Sequence, residues 1–149
     1  MRYLLYFRDF AVCFAAVFSY GKIMSVPVKP LIPASLAGAA SYLVYRIIYL
    51  ESGHELVGYL TAALIVSAVS EVLARKLKMP ATIFVMPGII PLVPGVGLYR
   101  SMLCLVQNDI NGFFSAGVRT LFISGIIAVA IAVVNAIARH MFPKPNKTA

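Results

Sequence analysis

The chain has 149 residues, 61% of them hydrophobic and 12% charged, with a mean hydropathy of +0.91. A soluble domain has roughly 45 to 50% apolar and about 25% charged residues, so a soluble fold is excluded and an all-α integral membrane protein is implied. The formal net charge of +8 does not point to nucleic acid, because the cations stand at the ends of apolar runs and not along one polar face.

Met1-Arg2 followed by Tyr3-Leu4-Leu5-Tyr6-Phe7 imitates the start of a secretory signal. Arg8 and Asp9 interrupt that run, and no A-x-A-like cleavage site follows before Lys22, so it reads as a retained first span. A span needs about 20 mostly apolar residues, and residues 1–149 read as one membrane domain of about five helices. The first covers about Leu4 to Tyr20. Pro27, Pro30 and Pro33 then punctuate a short connection into the second, about Leu31 to Leu50, where Arg46 sits near enough to the end to snorkel. The third runs from about Leu56 to Ala74, the fourth occupies about Ala81 to Val106, and the last runs from about Thr120 to Ala138. Gln107-Asn108-Asp109 is a polar turn, Asn111 to Arg119 an interfacial lead-in, and Pro143 to Lys147 a polar tail. Cys13 and Cys104 both lie inside apolar runs and read as packing residues, not as a disulfide or a metal motif.

The fourth segment cannot be one regular helix. Pro87, Pro91 and Pro94 each lack a backbone donor and crowd the preceding turn, and Gly88, Gly95 and Gly97 stand among them. Non-helical backbone at membrane depth is tolerated only where protein buries it or where it lines a wet cavity, and in secondary transporters such discontinuous helices form the substrate site. Helix restarting near Val96 would present unpaired N–H groups and a positive dipole end to a carboxylate, while carbonyls on the Pro87 to Pro94 side could take an ammonium group or a cation. The plainer reading is a pair of proline kinks re-satisfied by neighbouring helices.

With five spans, Lys22, Lys29, Arg75, Lys76, Lys78, Arg139, Lys144 and Lys147 fall on one side. The other receives Arg2, Arg8, Arg46, Arg100 and Arg119 together with Asp9, Glu51, Glu55 and Asp109. The positive-inside rule then sets the N-terminus outside and the C-terminus in the cytoplasm. Small residues recur every fourth position at Ala11, Ala15 and Ser19, at Ala34 and Gly38, and at Ser124, Ala128, Ala132 and Ala136, which is the spacing that lets membrane helices approach closely. Tyr3, Tyr6, Tyr45 and Tyr49 fit an aromatic belt.

Arg100, about one turn after Gly97, is either a bidentate carboxylate binder or an interface anchor. Glu71 is either an i,i+4 partner of Arg75 or a proton-coupling carboxylate, and Asn135 is either interhelical glue or pathway lining. His54 and His140 sit at membrane edges without partners at metal-ligand spacing. With no nucleophile and base, no phosphate loop and no zinc motif, neither an enzyme nor a cofactor is expected.

The block Met79-Pro80-Ala81-Thr82-Ile83-Phe84 continuing through Pro87-Gly88-Ile89-Ile90-Pro91-Leu92-Val93-Pro94-Gly95 to Tyr99 resembles the signature of the threonine/serine exporter family, in its smaller, C-terminal-type membrane unit. Val26-Pro27, Gly38, Tyr42 and Asn108-Asp109 fall where that family has comparable features. The resemblance implies proton-driven export of small amino acids across a bacterial inner membrane, by a unit that works with a larger multi-span half. It carries Pro87, Gly88, Pro91, Pro94, Gly95 and Tyr99 over as pathway residues, with Arg100 added from local chemistry and Glu71 as the coupling candidate. This chain lacks the larger half, so a hetero-oligomer with such a subunit is expected, and a homo-oligomer is the other arrangement. The competing function is a non-transporting subunit that stabilises or gates the partner; a small channel is a third class.

Overall fold

The computed structural model describes residues 2–141, and among these all regular structure is helical. The expected polar tail at Pro143 to Lys147 lies outside the described residues, as do the side chains of Arg2 and Tyr3. Six helices follow in order: α1 (Arg2–Ile23), α2 (Val28–Ser52), α3 (Glu55–Lys76), α4 (Thr82–Gly88), α5 (Gly95–Val106) and α6 (Ile110–Met141), with a 3-10 turn at Ile90–Leu92 between α4 and α5. Three of them, α2, α3 and α6, are long and apolar enough to cross a bilayer. A fourth span results if α4 and α5 count as one, although they bend by 52° at their junction.

Short connections make α1, α2 and α3 an antiparallel sheaf. Gly53 closes α2 with φ +66° and donates its N–H to the Tyr49 carbonyl at 3.1 Å, so the chain reverses directly into α3. The α2 helix starts earlier than the prolines suggested. Pro30 occupies the first turn, where an N–H would have no intrahelical acceptor anyway, and only Pro33 costs a bond. The last helix also begins well before Thr120, at Ile110. The Asp109 carboxylate accepts the Gly112 N–H at 2.9 Å and starts the helix there.

One ion pair and one hydrogen bond show how α6 lies on α3. Arg119 of α6 pairs with Glu55 at the start of α3, and Arg75 at the end of α3 donates to the Ala138 carbonyl at 2.9 Å. The two helices therefore run in the same direction. The stretch from Ile110 to Val118 continues past the first turn of α3 and forms a hairpin with α5, whose Ser101 hydroxyl donates to the Phe113 carbonyl at 3.3 Å. Lys22, Lys29, Arg75, Lys76, Lys78 and Arg139 consequently gather at one end of the bundle, and Arg8, Asp9, Arg46, Glu55 and Arg119 at the other.

The core has two parts. Near the basic end Phe84 of α4 packs with Ala34 and Ala74; further along, Leu92 joins Ala62, Ala63 and Val66 of α3 and Ile123, Ile127 and Ala130 of α6. Of the small-residue stripes, only Ala34 and Gly38 face the interior; Ala11, Ala15 and Ser19 on α1, and Ser124, Ala128, Ala132 and Ala136 on α6, are exposed. Tyr45 is half-buried in a cluster with Tyr42, Tyr49 and Tyr59, its ring centroid 4.4 Å from that of Tyr59, and so ties α2 to α3.

Candidate functional site

Prolines make the interruption between α4 and α5 by withholding donors. Pro87 is accommodated inside α4, but Pro91 and Pro94 leave the carbonyls of Pro87 and Ile90 without their i+4 partners. The chain tightens in response: the Leu92 N–H bonds the Ile89 carbonyl at 2.8 Å, and the Val93 N–H bonds that of Ile90 at 3.3 Å. Val93 is then extended (φ −62°, ψ 126°), Pro94 has φ −77° and ψ 56°, and helix resumes at Gly95. The first bond into the new helix runs from the Leu98 N–H to the Pro94 carbonyl at 3.2 Å.

The α4 side of the interruption is seated deep in the bundle because two glycines meet there. A Cβ on Gly38 would stand 2.8 Å from the Gly88 carbonyl oxygen and 3.0 Å from its Cα, and a Cβ on Gly88 would stand 2.9 Å from Cγ2 of Val66. Only the absence of a side chain on Gly38 lets the backbone of α2 come this close to the end of α4, the small-residue approach that supports close helix packing. Nearby on α3, the buried hydroxyls of Ser67 and Ser70 have no hydrogen-bond partner. Ser35 and Ser41 of α2, equally buried, bond back to the carbonyls of Leu31 and Ala37 at 2.9 and 2.7 Å. Unpartnered buried hydroxyls beside a helix interruption are uncommon enough to mark the region as polar potential left unused.

The pathway residues named from sequence divide into two sets. Pro87, Gly88 and Pro94 are buried and Pro91 is half-buried. Gly95 is exposed with no atom within 4 Å of a Cβ placed on it; Tyr99 is 66% exposed; and the Arg100 side chain is exposed and makes no hydrogen bond or ion pair among the described residues. The inner face of α5 carries only small groups toward α6, chiefly Gly97 and the buried Ser101, while Leu98, Met102, Leu105 and Val106 point outward.

Glu71 and Asn135 come together elsewhere. They share a polar cavity of about 950 Å³ at the basic end, between the end of α3, the Lys78 to Thr82 connection and the end of α6. Glu71 sits 3.5 Å from Arg75, the i,i+4 pair read from the sequence, and Arg75 is held a second time by the Ala138 carbonyl. Lys78 and Arg139 also line this cavity. Two further cavities are an apolar one of about 540 Å³ between α3 and α6 and one of about 610 Å³ around His54, Glu55 and Arg119. None of the three is lined by Pro87, Gly88, Pro91, Pro94, Gly95, Tyr99 or Arg100. Among the described residues no group of three metal-ligating side chains forms.

Two charged pairs between helices escaped the sequence reading, Glu55 with Arg119 as given above and Asp9 with Arg46. Asp9 of α1 lies 3.7 Å from Arg46 of α2, and Arg8 lies 3.2 Å from the other Asp9 oxygen. Sequence placed Asp9 and Arg46 on the same side but treated Arg46 as a snorkelling end residue; antiparallel packing of two adjacent helices was the available signal that they could meet.

Comparison with known proteins agrees with the resemblance. The family model described as Threonine/Serine exporter, ThrE, matches residues 9–137, which includes α1 to α5 almost entirely and most of α6. No curated protein and no solved structure matches the chain.

Proposed function

We propose that this chain, which belongs to the threonine/serine exporter family, is one subunit of a secondary transporter that moves threonine, serine or related small carboxylates out across a bacterial inner membrane in exchange with protons. It is a multi-pass membrane protein with three helices long and apolar enough to cross, or four with α4 and α5 as one; α1 is not among these, and the expected five spans are reached only by adding it. The observation that carries the reading is the interruption at Ile89 to Pro94, with regular helix abandoned on one side and resumed on the other.

At the start of α5 the N–H groups of Val96 and Gly97 have no acceptor one turn earlier, and the dipole of twelve aligned residues places partial positive charge beside them. That end suits a carboxylate, and Arg100 one turn on supplies a second, bidentate contact. Of the two carbonyls deprived of an i+4 donor, that of Ile90 accepts the Val93 N–H, and that of Pro87 suits the substrate ammonium group. Glu71, in the cavity at the basic end, is the proposed proton-coupling group.

The collection of cations at the α3 and α6 ends supports a cytoplasmic position for that end, hence an external N-terminus and a cytoplasmic C-terminus. A larger multi-span subunit is the proposed partner. The outward residues of α5 and the exposed small stripes of α1 and α6 support this, since they offer surface for another chain, as they also would for a second copy.

A second reading, a subunit that stabilises or gates the partner without lining its pathway, is favoured by one specific feature: Gly95, Tyr99 and Arg100 point away from the bundle, and the interruption lines none of the three cavities. Efflux of labelled threonine and serine from liposomes under a proton gradient tests both, using the chain with and without a companion multi-span chain from the same organism. Transport only by the pair supports the subunit assignment. Transport by this chain alone overturns the need for a partner, and its absence from both preparations overturns the substrate assignment.

A further inference from the structure

The cavity at the basic end has more positive charge than its neighbours neutralise. Its wall contains one carboxylate, Glu71, and three cations, Arg75, Lys78 and Arg139. Glu71 is engaged with Arg75 at 3.5 Å, whereas the side chains of Lys78 and Arg139 make no hydrogen bond or ion pair among the described residues. They arrive from different elements: Arg139 from the last turn of α6, and Lys78 from the connection after α3, where its backbone is held in the left-handed region at φ +53°. Asn135 adds an amide that can donate to an anion, and Ala74, Met79, Pro80 and Ala138 give the same wall an apolar part.

Size and charge separate the possible occupants. At about 950 Å³ the cavity is at the upper end of small-ligand sites and far larger than a threonine-sized molecule needs. A zwitterion with no net charge would leave both surplus cations unmatched, while a singly charged phosphodiester accepts hydrogen bonds from two or more cations at once. The position matters equally, since this is the end of the bundle where span-terminal lysines and arginines collect, the level at which headgroups lie. Basic pockets between helices on the cytoplasmic side are where anionic headgroups bind.

We infer that this cavity is a binding site for the phosphodiester headgroup of an anionic phospholipid, gripped by Lys78 and Arg139 with Asn135 as a neutral donor. The Glu71–Arg75 pair forms its inner wall, so an occupied site sits directly against the carboxylate. This inference rests on the cavity and on the cytoplasmic position proposed above for this end of the bundle, and stands whether or not the chain transports.

The test is retention of lipid by the purified full chain, measured by native mass spectrometry after exchange into detergent with added phosphatidylglycerol, and repeated with phosphatidylcholine. The expected result is phosphatidylglycerol retained in preference to phosphatidylcholine, and retention about tenfold or more weaker in the double variant Lys78→Gln/Arg139→Gln. Lys22→Gln/Lys29→Gln removes the same charge from the same end outside the cavity, and retention there should match the parent. The charge-preserving Lys78→Arg/Arg139→Lys should restore binding, which guards against a folding defect being read as a lost site. Equal losses in the two Gln pairs would mean a diffuse surface attraction and overturn the assignment. Displacement by millimolar inorganic phosphate as effective as by phosphatidylglycerol would identify a soluble anion as the ligand and overturn the lipid assignment.

Discussion

Gly38 on α2 and Gly88 at the end of α4 meet with no room for a side chain between them: a Cβ on Gly38 would stand 2.8 Å from the Gly88 carbonyl oxygen. The obstructing atoms are backbone, so no rotamer change relieves the clash. Gly38→Ala should therefore push α4 outward, destabilising the chain by about 1 to 3 kcal/mol as overpacking does. Thermal unfolding in detergent measures this, and a midpoint unchanged from the parent would show that α4 is not held where we describe it.

Gly88→Ala makes a different collision, with Cγ2 of Val66 at 2.9 Å, and here the obstacle is a side chain that can be shortened. The double variant Gly88→Ala/Val66→Ala should recover part of the stability lost by Gly88→Ala alone. A double-mutant cycle reads this as a coupling of about 0.5 to 3 kcal/mol. Strict additivity of the two losses would place the residues out of contact.

Gly95 offers the opposite condition, since nothing lies within 4 Å of a Cβ on it and its φ is not in the left-handed region. Gly95→Ala should leave stability within about 0.5 kcal/mol of the parent, which makes it a clean probe of function. If the resumed helix binds substrate through its first N–H groups, efflux by the complex should fall while the abundance of the partner chain stays normal. Loss of the partner instead of efflux would support the stabilising role.

How much of this arrangement could be read in advance depended on whether the cause was local. Missing proline donors located the interruption, and hydropathy located the long helices, because both act within a few residues along the chain. The turn at Gln107 to Asp109 was likewise legible, with Asn108 at φ +59° and Asp109 capping α6. Which face of each helix turns inward was not legible. In a soluble helix the polar face gives the orientation, but Ala11, Ala15 and Ser19 carry the same small-residue spacing as Ala34 and Gly38, and only the latter find a helix to pack on. That Glu71 and Asn135 line one cavity depends on α3 and α6 lying side by side, which no short-range pattern encodes.

The Asp9–Arg46 contact joins α1 to α2 with one carboxylate largely covered, its side chain 12% exposed. Asp9→Asn would leave Arg46 without that charge between two apolar helices. A loss of roughly 1 to 3 kcal/mol is expected, below the value for a fully buried pair because Arg46 is partly exposed. Exchanging the charges in Asp9→Arg/Arg46→Asp should restore most of it. Equal instability of the exchanged protein, measured by thermal unfolding, would deny that the pair matters.

Glu71 is where stability and coupling can be separated. Its pairing with Arg75 is an i,i+4 contact at 3.5 Å near the bundle end, worth only about 0.3 to 0.5 kcal/mol in such settings, and Arg75 keeps its bond to the Ala138 carbonyl when the carboxylate is gone. Glu71→Gln preserves shape and hydrogen bonding while removing the titratable proton, so assembly and thermal midpoint should stay close to the parent. If this carboxylate carries the coupled proton, efflux by the assembled complex should lose its dependence on the proton gradient, with exchange of labelled for unlabelled threonine at equal pH surviving. An unchanged response to the gradient would return Glu71 to the plain role of holding the end of α3 in register with α6.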